Sequence, residues 1–327
     1  MPAVIENAGL ARRFDGRTVA VTGASGLIGG ALTRTFAQAQ VPVRALDVRE
    51  PPAWDGPLTL RLVDVRQADL LAEAVAGADY VFHEAGWKVP ASDRDPAAAI
   101  DVLIQGTLNV AAACVATGAK LVFASTGAIY GDARSPLIAE DHPIRCDSFY
   151  SASKVGAEYL LDAAARCWGL EHLSLRYFSV YGPGMTMDGP DAEVLGRWTS
   201  QILSGGQPVI HGDGRQLRDF THVDDVVQAN LRAALSGPAG SAYNVGTGTG
   251  ISLAAAADLL LRVAGASAGV DVLPGRPGGN ARSVPDIGKA RRELGYRPLV
   301  DRAAGFTGLV DWARNRLSAL AQPVQDA

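Results

Sequence analysis

A parallel α/β sheet, doubly wound by helices on both faces and joined by a smaller α/β part, is the fold class this sequence predicts. Three observations predict it. Short β-rich runs alternate with helical apolar spacing through the first half of the chain. Three glycines at three-residue spacing separate the first such strand from the first such helix. The 327 residues, 48% hydrophobic and 20% charged, suffice for about two packed domains and exclude global disorder.

The elements follow in order. Arg17–Thr22 is β-rich and stops at Gly23; Leu27–Gln38 carries helical apolar spacing. Val41–Asp47 and Leu58–Val65 read as the second and third strands, with Asp69–Val75 a short helix. Asp79–His83 reads as a strand, Ala97–Ala116 as one long helix, and Lys120–Ser125 as a strand. A helix opens at Ser148 or Phe149 and runs to about Trp168, before the strand Leu173–Phe178. Strict alternation is then lost. The expected division is a cofactor domain over 1–178, to which 217–250 returns, and a discontinuous substrate domain over 179–216 and 251–327.

Composition excludes several classes. The 37 glycines exceed the usual ~7% but have no three-residue period, which excludes collagen and points to tight turns and close backbone approaches. A net charge of −4 gives no basic face for nucleic acid, and Arg12-Arg13 and Arg291-Arg292 read as solvated pairs. No window approaches 18 uninterrupted apolar residues, so no membrane span is expected, and the start shows no signal pattern. Three cysteines have neither metal spacing nor the number for a disulfide framework. Cys114 and Cys167 are expected in the core. No metal site and a reducing, cytoplasmic setting are expected.

The first chemical signal is Thr22-Gly23-Ala24-Ser25-Gly26-Leu27-Ile28-Gly29. A pyrophosphate needs backbone N–H groups at a helix start with no Cβ in the way. Asp47 ends the second strand, 18 residues after Gly29. A carboxylate there accepts ribose hydroxyls and repels a 2′-phosphate, which favours NAD over NADP. The second signal is Tyr150-Ser151-Ala152-Ser153-Lys154. Tyrosine and lysine four apart share a helix face. A free phenol, with pKa ≈ 10, is a poor base at pH 7, and an adjacent ammonium makes it usable. Ser125 and Thr126 end a predicted strand, and the carboxyl ends of parallel strands line the ligand crevice.

With these residues in place the sequence resembles the extended short-chain dehydrogenase/reductase family, in its nucleotide-sugar epimerase/dehydratase branch. UDP-glucose and UDP-glucuronate 4-epimerases are the members it most resembles. The matching segments are TGASGLIG at 22–29, Asp64-Val65, HEAGWK at 83–88, STGAIYGD at 125–132 and YSASK at 150–154. Further on come RYFSVYGPG at 176–184, VIHGDGRQLRDFTHVDD at 209–225, YNVGTG at 243–248 and LGYRP at 294–298. The resemblance implies a Rossmann sheet binding NAD and a UDP-linked sugar substrate. It implies adenine contacts at Asp64 and Val65, and cofactor contacts at Ala85, Gly86, Lys88 and Tyr177. It implies Thr126 as catalytic hydroxyl, Tyr150 as base and Lys154 as its partner. Ser125, Ser179, Arg218 and Arg276 fall on the substrate side, the two arginines on the diphosphate. It also implies a homodimer through the helices at 97–116 and 149–168. His83 and His222 read as packing residues, and Arg218 beside Asp219 also reads as a plain ion pair.

Departures bear on substrate and reaction. Ser179 stands where many members carry asparagine, Gly279 replaces an aspartate, and Leu103 replaces an asparagine, while nearby Asn109 reads as a surface residue. Met185–Pro190 reads as a loop over the sugar, and Pro190-Asp191-Ala192 loosely resembles uronate epimerases, which ranks UDP-glucuronate beside UDP-glucose. After Thr126 come Gly127 and Ala128, where dehydratases carry Asp-Glu and decarboxylases commonly a Glu. The expectation is therefore an NAD-dependent 4-epimerase. A net dehydrogenase or ketoreductase, a decarboxylase and a non-catalytic NAD-binding scaffold stay open as alternatives.

Overall fold

Val19–Thr22 (β1) is buried along its whole length, as expected of a β-branched strand covered on both faces. In the computed structural model, which describes residues 2–50, 57–133, 135–275 and 281–321, it lies inside a seven-stranded sheet. The other strands are Val43–Asp47 (β2), Leu58–Leu62 (β3), Tyr80–His83 (β4), Lys120–Thr126 (β5), His172–Tyr177 (β6) and, at one edge, Ser241–Val245. From that edge the order is Ser241–Val245, β6, β5, β4, β1, β2, β3. Every neighbouring pair is parallel. The order reverses between β1 and β4, which open the crevice where such sheets bind ligands.

Each face has its own core. Phe14, Leu32, Phe36, Val226 and Leu231 pack on one face, Leu71, Val110, Cys114 and Leu161 on the other. Pro2–Ala11 forms a helix that the sequence reading omitted. Asn7 Nδ2 donates to the Asp224 carbonyl at 2.8 Å, tying this helix to Val223–Ser236. A separate core of Tyr181, Leu195, Trp198, Phe220, Leu260 and Phe306 lies under the helices Val194–Leu203, Leu253–Val263 and Arg302–Ala321. Helix Gly288–Leu294 packs on Ser241–Val245, so Leu294 and Tyr296 join the core of the large sheet.

One expectation is met and one needs correction. The long helix expected at 97–116 is present as Pro96–Thr117, in which Asp101–Gln105 widens to a π-helical turn between Pro96–Ile100 and Gly106–Thr117. Gly106 follows the widened turn, and a Cβ there would lie 2.6 Å from Val65 Cγ2. The stretch Pro96–Thr117 is also long and apolar enough to cross a membrane by composition, yet 50% of its most apolar window is buried in the fold. Cys114 is buried as expected, but Cys167 is exposed, being in the last, solvated turn of its helix.

The helix Phe149–Trp168 starts at a capping box made by Ser148 and Ser151 and ends at Gly169, whose φ of 75° suits glycine. Tyr150, Lys154 and Glu158 follow at four-residue spacing on one face. Glu158 clamps that face to the sheet. Arg176 of β6 donates to it through Nη2 at 2.7 Å and Nε at 3.1 Å, and through Nη1 to Tyr130 Oη at 2.8 Å. Both charged partners are buried.

Replacing Glu158 with alanine strands a buried guanidinium. The expected loss is about 3 kcal/mol, read as a lower urea midpoint with an unchanged slope. A midpoint equal to the wild type would show that the pair does not clamp the helix.

Candidate active site

The crevice begins with backbone. Gly23 has a φ of 70°, and a Cβ on it would lie 2.6 Å from Ala85 N. A Cβ on Gly29 would lie 2.2 Å from the Gly23 carbonyl oxygen. Helix Leu27–Gln38 starts at Gly26 with no side-chain cap, which leaves its first N–H groups to an anion. Asp47 closes β2 beside this turn and is 8% exposed. It accepts from Ser25 N at 2.9 Å and Arg49 N at 3.0 Å. These amides fix the carboxylate next to the glycine turn. The cradle therefore fits a dinucleotide pyrophosphate with an adjoining ribose.

A cavity of about 940 Å³ opens from this turn. Its wall includes Gly23, Ser25, Gly26, Leu27, Ile28 and Gly29 of the turn, with Gly86 and Lys88 after β4. It also includes Ser125, Thr126, Tyr150, Lys154, Tyr177, Ser179 and Arg218. Asp47, Asp64, Val65 and Ala85 lie outside that wall. Asp64 is engaged by Arg66, Nη2 to Oδ2 at 2.6 Å, and this bond holds its carboxyl below the usual range. Val65 is buried, and its carbonyl accepts from Asn109 Nδ2 at 2.9 Å, so Asn109 is an anchor rather than a surface residue. Ala85 N donates to Thr22 Oγ1 at 3.2 Å. Arg276 and Gly279 lie outside the described residues.

Neighbouring strand ends deliver the chemistry. Thr126 ends β5 in register with Tyr177 of β6. Its oxygen accepts from Ala128 N at 3.1 Å, and its hydroxyl hydrogen-bonds the Tyr150 phenol. Burial pushes Tyr150 up to about 12; the Thr126 bond opposes this, while Glu193 and Glu84 add to it. Lys154 shares the cavity wall with Tyr150 and has a backbone partner of its own. Its Nζ donates to the Ala124 carbonyl at 2.6 Å and lies 4.6 Å from the Phe123 ring centroid. Burial pushes Lys154 down to about 8, against the attraction of Glu84 and Glu158.

His83 packs as expected, its nitrogens on Thr22 Oγ1 at 2.7 Å and Thr107 Oγ1 at 3.1 Å. Burial pushes it down to about 3, so it stays neutral. His222 caps its helix, accepting from Asp224 N at 3.2 Å. Ser125 donates its hydroxyl to Glu158, which ties it to the structural clamp. The Asp219 carboxylate is occupied by Thr247 and Gly248, whose N–H groups donate at 2.9 and 2.7 Å. Arg218 faces the cavity.

Sequence reasoning missed three things here. Ser179 has a φ of 34°, a conformation that asparagine tolerates better than serine, so the departure at 179 carries backbone strain. Two ion pairs tie the segment 88–94 to the segment 191–193, Lys88 Nζ to Glu193 Oε1 at 3.6 Å in the cavity wall and Arg94 Nη2 to Asp191 Oδ1 at 3.1 Å. Glu84 is in the cavity wall, and its Oε2 is buried without a hydrogen-bond partner among the described residues. Its position in the HEAGWK segment was the only signal, and it pointed to the cofactor rather than to this residue.

Residues 19–246 match the pattern of the NAD dependent epimerase/dehydratase family. The chain is 33% identical to a UDP-glucose 4-epimerase of Mycolicibacterium smegmatis, over 78% of this chain and 82% of that one. It is 31% identical to a dTDP-glucose 4,6-dehydratase of Streptomyces griseus, over 89% of this chain and 92% of that one. Its fold is similar to the crystal structure of a Thermotoga maritima UDP-glucose 4-epimerase with UDP-glucose. That likeness has a TM-score of 0.86 and 30% identity, and covers 92% of this chain and 99% of the other. The glycine turn, the Thr126–Tyr150–Lys154 cluster and β1 to Ser241–Val245 all fall within the matched stretch, and the chain belongs to the NAD dependent epimerase/dehydratase family.

Proposed function

We propose that this protein is an NAD-dependent nucleotide-sugar 4-epimerase that oxidises C4 of a UDP-hexose or UDP-hexuronic acid and reduces it again. The carrying observation is the pair of residues after Thr126. Gly127 and Ala128 carry no acid, and a Cβ on residue 127 would meet the Phe178 ring at 2.6 Å. The elimination pair of the dehydratases therefore has neither its side chains nor, at 127, room for one. What remains is the machinery for reversible oxidation, which is all that C4 inversion requires.

The proposed roles follow from the geometry. The turn 23–29 holds the pyrophosphate, and Asp47 the adenosine ribose, with Asp64 and Val65 toward the adenine. When bound, NAD supplies the hydride acceptor that later returns the same hydride, and in its oxidised form a positive charge. Tyr150 Oη takes the C4 hydroxyl proton and gives it back, and Thr126 steadies the reacting oxygen. Lys154 supplies the positive charge of the pocket. Arg218 grips the diphosphate while the sugar ring turns, and Arg276 is proposed for the same role. Met185 and Met187 of the cavity wall offer that ring an apolar, deformable surface. The division into 1–178 with 217–250, against 179–216 with 251–327, is the one this reading uses.

The reading extends to assembly and setting. Phe149, Tyr159 and Trp168 are 52%, 62% and 49% exposed on one helix, and Ile100 is 46% exposed on a neighbouring one. Burying these groups in a homodimer offsets their cost in water. Cys146 and Cys167 are exposed free thiols, which suits the reducing cytoplasm. Neither nucleic acid nor a membrane is a partner in this reading.

Four outcomes are expected. Incubated with UDP-glucose or UDP-glucuronate, the protein interconverts gluco and galacto forms by NMR, with no net NADH. Tyr150→Phe loses about 10²-fold or more of this turnover and still binds NAD; a normally active Phe variant rejects the assignment. NAD binds at least about tenfold tighter than NADP because Asp47 repels a 2′-phosphate, and Asp47→Ala narrows the gap. Equal wild-type affinities would remove Asp47 from that role. Sizing at micromolar concentration gives a dimer, and Tyr159→Lys shifts it to monomer; a wild-type monomer removes the assembly.

A further inference from the structure

We infer that Glu84 is the counter-charge of Lys154 and thereby a positioning residue that sets how readily Tyr150 gives up its proton. The inference rests on the epimerase reading only for the use made of Tyr150. Glu84 directly follows β4 and is in the cavity wall shared by Lys154, Tyr150 and Tyr177. One oxygen is accounted for. Tyr177 Oη donates to Oε1 at 2.9 Å. Asn230 Nδ2 donates to Tyr177 Oη at 2.9 Å, and also to the Val226 carbonyl at 2.9 Å, which fixes the amide orientation. The single phenolic proton of Tyr177 then has two acceptors, Glu84 Oε1 at 2.9 Å and, farther off, Asn230 Oδ1 at 3.1 Å.

The other oxygen, Oε2, is buried with no hydrogen-bond partner among the described residues. A carboxylate oxygen in that state is expensive unless a cation lies nearby. Lys154 is that cation. Gly86, two residues on, would place a Cβ 3.6 Å from Lys154 Nζ, so this segment packs directly against the ammonium. Glu84 and Lys154 attract each other.

The other charged groups have separate engagements. Glu158 faces Lys154 but is bound by Arg176, and His83 is neutral. Glu193 faces Tyr150 from the opposite half and is paired with Lys88. Glu84 is thus the carboxyl whose ionisation is felt at both Lys154 and Tyr150.

Burial pushes Glu84 up to about 7, against the Tyr177 bond and Lys154. The sign follows. Below that pH Glu84 is neutral, the Lys154 charge is uncompensated and the phenol ionises more easily. Above it the new carboxylate screens Lys154 and opposes a phenolate. As pH rises, the base is strengthened while its ionisation is delayed, which flattens the response around neutrality.

The test is a carboxyl ¹³C NMR titration of the whole protein, with Glu84 assigned by its loss in Glu84→Gln, together with pH profiles of kcat/KM. A Glu84 midpoint near 7 is expected. In Glu84→Gln the inflection near 7 disappears and the acid limb moves to lower pH by roughly one pH unit. A midpoint of about 4 to 5, the ordinary range, or a variant profile superimposable on the wild type overturns the proposal. Should Glu84→Gln fail to fold, Tyr177→Phe keeps the carboxylate and removes its hydrogen bond. The Glu84 midpoint must then rise, and an unchanged midpoint overturns the proposal. A wild type inactive on every nucleotide sugar rejects the epimerase reading, while the NMR midpoint still decides this one.

Discussion

The close approach of Gly23 to the backbone of Glu84 and Ala85 is the constraint from which the site is built. β1 and β4 are parallel neighbours whose chains leave in opposite directions, one into helix Leu27–Gln38 and the other toward Val89–Arg94. The gap between them becomes a phosphate cradle only while both turns stay tight. Any Cβ at 23 would strike the Ala85 amide, so the cradle and the cavity floor are set by one contact. Glu84 reaches the floor through the same contact.

From that floor the pocket is assembled by strand register. Parallel pairing brings Ala124 and Thr126 of β5 beside Leu175 and Tyr177 of β6, and the helix Phe149–Trp168 is clamped over them by Glu158 and Arg176. The clamp lies just beyond Lys154 on the same helical face. A buried ion pair holds the helix, and a hydrogen-bonded threonine meets its tyrosine. The price is a phenol, an ammonium and a carboxyl all displaced from their ordinary protonation ranges by loss of water. Such displaced pairs are what acid–base chemistry near neutrality uses.

The reaction class turns on steric room as much as on side-chain type. Phe178 fills the space beside Gly127, so the position after Thr126 is small for a packing reason. On the opposite wall Ser179 holds a backbone conformation that disfavours it, next to the methionines of the 185–187 segment. One side of the pocket is thus filled by Phe178, and the other is lined by the buried, unbranched side chains of Met185 and Met187.

Local pattern was enough to read the alternating strands and helices, the glycine turn, Asp47 and the Tyr150–Lys154 spacing, because each depends on neighbours a few residues away. The same is true of Leu27–Gln38, whose apolar period and preceding glycine state both its span and its open N-terminus. What local pattern hid was set by residues distant in the chain. The helix expected at 97–116 forms, but its widening at Asp101–Gln105 was not legible. Asn109 looked superficial until its amide met the Val65 carbonyl. Lys154 was expected beside Tyr150, and only the fold shows its Nζ also donating to the Ala124 carbonyl. Glu84 is an ordinary glutamate in the sequence and becomes a buried, half-satisfied acid only when β4, β6 and helix Val223–Ser236 enclose it. Periodicity and turn chemistry are encoded residue by residue, but desolvation and charge pairing exist only after distant segments exclude water together.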